Sequence, residues 1–268
     1  MAGNGEAKGS QQTGLFDRVW SWLKSTELFR SIYQNDYPRD RRTRVMVLTN
    51  NLFLHLHPNL VTRYSIDYRY TWGLGGLSLA TFIILALTGA FLMFYYVPAV
   101  PDAYFSIRAF DTDVALGQFF RNLHRWAAHT MVIVVMLHMF RVFYTGSYKG
   151  PRKFNWVIGV FLYMLTLLMS FTGYLLPWDQ LAYWAITVGV NIGGAVPFVG
   201  DQVRRILLAG FDITGATLVR WYTLHVIFLP LIAFWMMLLH FYRVRKDGFS
   251  ATKPIPIEDH PILGKVKE

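Results

Sequence analysis

Cysteine is absent from all 268 residues. The chain therefore has no disulfide, thiolate metal centre, iron–sulfur ligand set or thioether-linked c-type haem, and any metal must be held through histidine or carboxylate. Charge is scarce as well: Asp, Glu, Lys and Arg make up 16% of the chain, against 54% hydrophobic and 17% aromatic residues. Acidic residues are the scarcer sign, 16 against 26 Lys and Arg, for a net charge of +10. Such a charge would suit nucleic acid, but the basic residues stand in short clusters beside apolar runs, as anchors at a cytoplasmic membrane face do. Lipid headgroups are the expected partner and nucleic acid is not. A cleavable signal peptide is not expected, because residues 1–14 are small and polar with no short apolar core behind them, so targeting falls to the first spanning segment.

Long apolar runs are what the chain has in abundance. Four of them, approximately 72–96, 119–143, 154–176 and 221–242, match the ~20 residues that cross a hydrocarbon core. Ahead of them, 1–14 reads as a disordered tail. In 15–33, Phe16, Val19, Trp20, Leu23, Leu28, Phe29 and Ile32 alternate with Arg18, Lys24 and Arg30 at helical spacing. This predicts an amphipathic helix that lies on the membrane or packs on a partner subunit. A basic stretch follows, Arg39, Arg41, Arg42 and Arg44. The loop after the first span carries Asp102, Asp111 and Asp113, whereas Lys149, Arg152 and Lys153 follow the second span and Arg243, Arg245 and Lys246 close the fourth. By the positive-inside rule both termini are cytoplasmic. The expected domains are thus 1–14, a cytoplasmic-side segment 15–71, a four-helix unit 72–248 and a cytoplasmic tail 249–268. Between the third and fourth spans, Pro177, Gly189, Gly193, Gly194, Pro197 and Gly200 argue for short surface helices rather than a fifth crossing.

Unusual residues recur inside the spans. Gly75 and Gly89, His124 and His138, and Gly159 and Gly173 are each fourteen positions apart, and His225 and His240 fifteen. Fourteen helical steps return to within about 40° of the same face and fifteen to within about 60°, while separating the members by about 21 Å. The second and fourth spans run in the same direction, so His124 pairs with His225 near the outer surface and His138 with His240 near the cytoplasmic one. Two imidazoles facing each other across a helical bundle form the ligand set of a low-spin haem iron. Glycine on the neighbouring helices lets a flat macrocycle approach the backbone. The expected fold is an all-α membrane protein, four transmembrane helices in a dihaem bundle with an N-terminal amphipathic surface helix. Its sites are two non-covalent b-type haems, with His124 and His225 on one iron and His138 and His240 on the other.

Haem propionates need cations at the interface, and Arg121, Arg125 and Arg220 near the outer pair and Arg141 near the inner pair are the candidates; each is otherwise a snorkelling anchor. Arg243 lies in the same zone as Arg141. His129 is turned roughly 140° from His124 and reads as a helix–helix or lipid contact. His55 and His57, ahead of the first span, are candidates for proton transfer at a quinone site or simple surface residues. Two other readings stay open: a dihaem anchor of a dehydrogenase or hydrogenase, and a haem-free transporter whose histidines relay protons.

The segments Arg121-Asn-Leu-His-Arg-Trp126, His138-Met-Phe-Arg141, Gly173-Tyr-Leu-Leu-Pro-Trp-Asp-Gln180 and Arg220-Trp-Tyr-Thr-Leu-His225 resemble the N-terminal, haem-binding half of cytochrome b of cytochrome bc and b6f complexes. The fifteen-residue spacing in the fourth span is similar to the short form, cytochrome b6. The resemblance implies a subunit of a quinol:cytochrome c (or plastocyanin-type) oxidoreductase in a respiratory or photosynthetic electron transport chain, not active alone. Quinol would be oxidised at an outer site, one electron passing to a Rieske iron–sulfur protein and the other through the outer and inner haems to a quinone. Implied partners are a separate C-terminal-half chain (subunit IV-like), the Rieske protein and a c-type cytochrome, in a dimeric complex of a bacterial cytoplasmic membrane. Cytochrome b6 carries a cysteine before Leu-Gly-Gly for a covalently linked extra haem. Here the run is Trp72-Gly73-Leu74-Gly75-Gly76, so no such haem is expected.

Overall fold

The structure, a computed structural model, describes residues 14–27, 29, 40–50 and 67–250. The expectations for the tail 1–13, for Arg39, for His55 and His57, and for 251–268 lie outside them. The chain divides into two compact units, residues 1–59 and 60–268. In the first, α1 (Leu15–Ser25) begins where the Asp17 carboxylate accepts a hydrogen bond from the Gly14 N–H at 3.2 Å, and it exposes Phe16, Val19, Trp20 and Leu23. It ends at Ser25, where Thr26 leaves helical geometry (φ −69°, ψ 143°), its hydroxyl donating to the Leu23 carbonyl; the expectations for Leu28, Arg30 and Ile32 lie outside the described residues. A second helix, α2, covers Arg41–Asn50.

The second unit holds the four spans. A single turn, α3 (Tyr68–Thr71), is capped by Asp67, and the left-handed residues Trp72 and Gly73 turn the chain into α4 (Leu74–Met93). After α5 (Asp102–Asp113) comes α6 (Gly117–Tyr144). A 3-10 turn at Gly150–Arg152 leads into α7 (Lys153–Leu175). Then α8 (Gln180–Gly194) and α9 (Gly200–Leu208) precede α10 (Gly215–Thr223), a π-helical turn (Leu224–Phe228) and α11 (Leu229–Asp247), the last three forming one continuous helix. Four stretches are long and apolar enough to cross a membrane: Leu74–Met93, Gly117–Tyr144, Gly150–Leu175 and Gly215–Asp247. They match the expected spans, and the described residues contain no strand.

The spans pack in chain order, α4 on α6, α6 on α7 and α7 on α11, while α6 and α11 have few close backbone approaches. A lane is left between the two histidine-bearing helices. Most large apolar side chains on the spans are exposed, as lipid-facing surfaces are.

The deepest apolar cluster lies at one end, where Leu175, Ile186, Val190, Leu208 and Trp221 join α7, α8, α9 and α10. The connection between the third and fourth spans is thus a folded cap, held by specific close approaches. Asp179 caps α8, its carboxylate accepting from the Ala182 N–H at 2.9 Å. A Cβ on Gly200 would stand 1.9 Å from the Gly194 carbonyl oxygen. Gly200→Val should therefore destabilise the α8–α9 turn by at least about 2 kcal/mol, seen as a lowered Tm of the purified protein. A Tm equal to the parent's would show that the turn is not fixed by this contact.

Candidate haem-ligand site

Histidines enter the lane at two levels. On one level the His124 and His225 rings face each other with centroids 6.4 Å apart and planes at 79°. The other level carries His138, beside Gly75, and His240.

His225 and His240 are fifteen positions apart, one more than His124 and His138, and the structure shows how the helix takes up the difference. Pro230 has no N–H to give the Val226 carbonyl, and in a regular helix its ring would collide there. The chain widens instead into the π turn, where the Leu229 N–H reaches the Leu224 carbonyl, five residues back. Such a turn absorbs one extra residue, so fifteen positions here do the work of fourteen, and both histidine pairs keep the same rotational relation of about 40°.

Hydroxyls brace the first pair through Nδ1. The Thr88 hydroxyl lies 2.7 Å from the Ile84 carbonyl and 2.8 Å from His124 Nδ1. Likewise the Thr172 hydroxyl lies 3.1 Å from the Met169 carbonyl and 3.0 Å from His225 Nδ1. In the tautomer that donates from Nδ1 to these hydroxyls, each Nε2 keeps its lone pair for a metal. The second pair is braced differently. His138 Nδ1 lies 3.5 Å from Arg141 Nη2, and buried His240 Nδ1 has no partner.

The glycines face the imidazoles. A Cβ would come 3.5 Å from His138 Cε1 at Gly75, 3.2 Å from His124 Cε1 at Gly89 and 2.6 Å from His225 Cε1 at Gly173, while at Gly159 it would meet nothing within 4 Å. What three of these missing side chains clear in this structure is a histidine ring, with open space beside the fourth.

The arginines divide. Arg121 pairs with the Asp111 carboxylate and Arg220 donates to the Ile206 carbonyl, so the protein itself engages both. Arg125 is exposed. Arg141 is half-buried beside His138, lies over the Tyr70 ring at 5.7 Å and has an unpartnered buried Nε. Arg243 is tied to Asp247 at 2.8 Å. His129 is exposed and packs edge-on to Trp126 at 5.7 Å, away from the lane.

Sequence reasoning missed both threonines and two tyrosine clusters. Each threonine directly precedes a glycine already singled out, Thr88-Gly89 and Thr172-Gly173, and that repeated dipeptide was the available signal. At the same end of the bundle, Tyr96 stacks on Tyr222 and donates to the Leu176 carbonyl at 2.7 Å. Burial, then the neighbouring Tyr222, hold its phenol above the usual tyrosine range, so it stays protonated. At the other end, the Tyr70 hydroxyl lies 2.9 Å from both Ser147 and Ser250. Burial alone would raise the Tyr70 phenol, but these hydroxyls, Thr145 and the charge of Arg141 bring it below its ordinary value.

Among the described residues no three His, Cys, Asp or Glu side chains converge as a metal site. The opposed rings of His124 and His225 with glycines beside them fit a haem, which would bring four further ligands of its own. The fold defines a polytopic helical membrane protein with histidines on two of its spans. Comparison with known proteins names the family: residues 60–248 match the model for cytochrome b/b6/petB, and the chain belongs to it. It is 44% identical over 177 residues to cytochrome b6 of Heliobacterium mobile, covering 66% of this chain and 83% of that one. It is 36% identical over 241 residues to the menaquinol:cytochrome c reductase cytochrome b subunit of Bacillus subtilis (strain 168), covering 88% and 99%. Among solved structures it resembles a chain of a hyperthermophilic respiratory complex III, with a TM-score of 0.67 and 28% identity over 92% of this chain. It spans 62% of that chain's length.

If the π turn absorbs the extra residue, deleting Ile227 should restore a regular helix with fourteen-residue spacing and leave the haem content unchanged. Inserting an alanine after Leu231 should rotate His240 by about 100° and halve the haem content. Equal haem loss in both variants would contradict this register.

Proposed function

We propose that the chain is a cytochrome b subunit, similar to cytochrome b6, of a quinol-oxidising membrane complex. It would hold two b-type haems without covalent attachment and carry electrons across the bilayer in a quinone-cycle chain. The observation that carries this reading is the His124–His225 ring pair, 6.4 Å apart, with His138 and His240 placed about 21 Å further along by the helical rise. When bound, haem supplies a one-electron iron couple. The residues would do the rest: His124 and His225 would hold one group and His138 and His240 the other. Gly75, Gly89, Gly159 and Gly173 keep the lane clear of side chains.

Half-buried Arg141 is the strongest candidate for a propionate anchor, since its Nε lacks a partner and, unlike Arg243, whose Nε is also unpartnered, it is not tied to a carboxylate. Arg121 and Arg220 would serve one only by sharing their present partners, and exposed Arg125 by turning inward. Family membership sets aside the dehydrogenase anchor and the haem-free proton relay. By analogy with the relatives, the partners are a C-terminal-half chain, a Rieske iron–sulfur protein and a c-type cytochrome, with quinol as substrate. The acidic loop at the α5 end and the basic loop at the other support a reading with the first histidine pair on the outer side and both termini cytoplasmic. His138→Ala or His240→Ala should remove one of two haems and leave the other, measured as haem per chain with low-temperature optical spectra. Unchanged content in both variants would overturn the assignment.

A further inference from the structure

The two histidine pairs are chemically unequal, and the difference lies in residues outside the ligand set. At the His124–His225 level each imidazole Nδ1 meets a threonine hydroxyl, at 2.8 and 3.0 Å. Both threonines are enclosed, Thr88 at 5% and Thr172 at 0% exposure. Each hydroxyl also has a carbonyl one turn back to receive its own proton, Ile84 for Thr88 and Met169 for Thr172. With that proton directed at the carbonyl, the hydroxyl oxygen accepts from Nδ1–H. At the His138–His240 level the matching positions, next to Gly75 and Gly159, are Leu74 and Ile158. Neither side chain has an acceptor to offer. His240 Nδ1 is left without a partner, and His138 Nδ1 has only a guanidinium nitrogen at 3.5 Å, a group that cannot accept.

We infer that Thr88 and Thr172 are positioning residues that make the His124–His225 site a stronger donor to its metal than the His138–His240 site. An acceptor on Nδ1–H fixes the ring's tautomer and orientation and raises the basicity of Nε2. A more basic axial ligand favours the more highly charged, oxidised metal. Without the two hydroxyls, a group held by His124 and His225 therefore takes a higher potential. The inference rests on the haem reading of the four histidines and adds to it the residues that tune one of the two sites.

The test uses the complete complex in its membrane, with Thr88→Val, Thr172→Val, their combination and the Ser variants at both positions. Haem per chain is counted first, then each haem's midpoint potential is titrated and its low-spin electron paramagnetic resonance recorded. The inference expects two haems throughout. The Val variants should shift the His124–His225 haem to higher potential, further in the double variant, with its resonance altered and the other haem unmoved, while Ser restores the parent values. If a Val variant sheds one haem and its Ser counterpart keeps it, the positioning role stands. Two haems with unmoved potentials in the double Val variant would overturn the inference alone. Absence of haem from the parent complex would instead overturn the haem reading beneath it.

Discussion

Everything in the bundle follows from keeping two helices apart. Helices α6 and α11 carry polar imidazoles into an apolar interior, yet their backbones have few close approaches, and the rings meet across the space between. Apolar helices have no hydrophobic reason to stay separated in lipid, where van der Waals packing draws them together. Separation is imposed by their neighbours: α4 packs on α6 and α7 on α11, so the pairs are held by helices whose glycines sit where imidazole edges must pass. An unpartnered buried ring nitrogen costs roughly 1–3 kcal/mol. The Thr88 and Thr172 hydroxyls remove that cost at one level, while at the other His240 Nδ1 retains it.

Much of this was legible in the sequence, because a membrane span has a narrow range of lengths and a helix a fixed period. The four crossings came from counting, and so did the fourteen- and fifteen-residue spacings of the glycines and histidines. The approach of Gly75 to His138 and of Gly89 to His124 came from the structure. Fifteen residues between His225 and His240 looked like a small rotational mismatch. Only the structure showed Pro230 opening a π turn that takes up the difference. A proline in the middle of an apolar run signals a local break, but not whether it kinks, bulges or ends the helix.

The rest depended on contacts that no period encodes. The acidic loop after the first span folds as α5, and its Asp111 engages Arg121. That pairing, like the hold of the Ile206 carbonyl on Arg220, was invisible in a list of charges near helix ends. The 45-odd residues between the third and fourth spans contain the deepest apolar cluster, because α8 and α9 return against the ends of α7 and α10. Glycine and proline content indicated breaks there, not how tightly the pieces close.

The central claim is that the paired histidines hold two non-covalent b-type haems per chain. Pyridine haemochrome spectra of the purified, full-length protein, before and after acid–acetone extraction, test it most directly. Two haems per chain, both extractable and both of b type, are the predicted result. Well-folded protein with no haem would contradict the account.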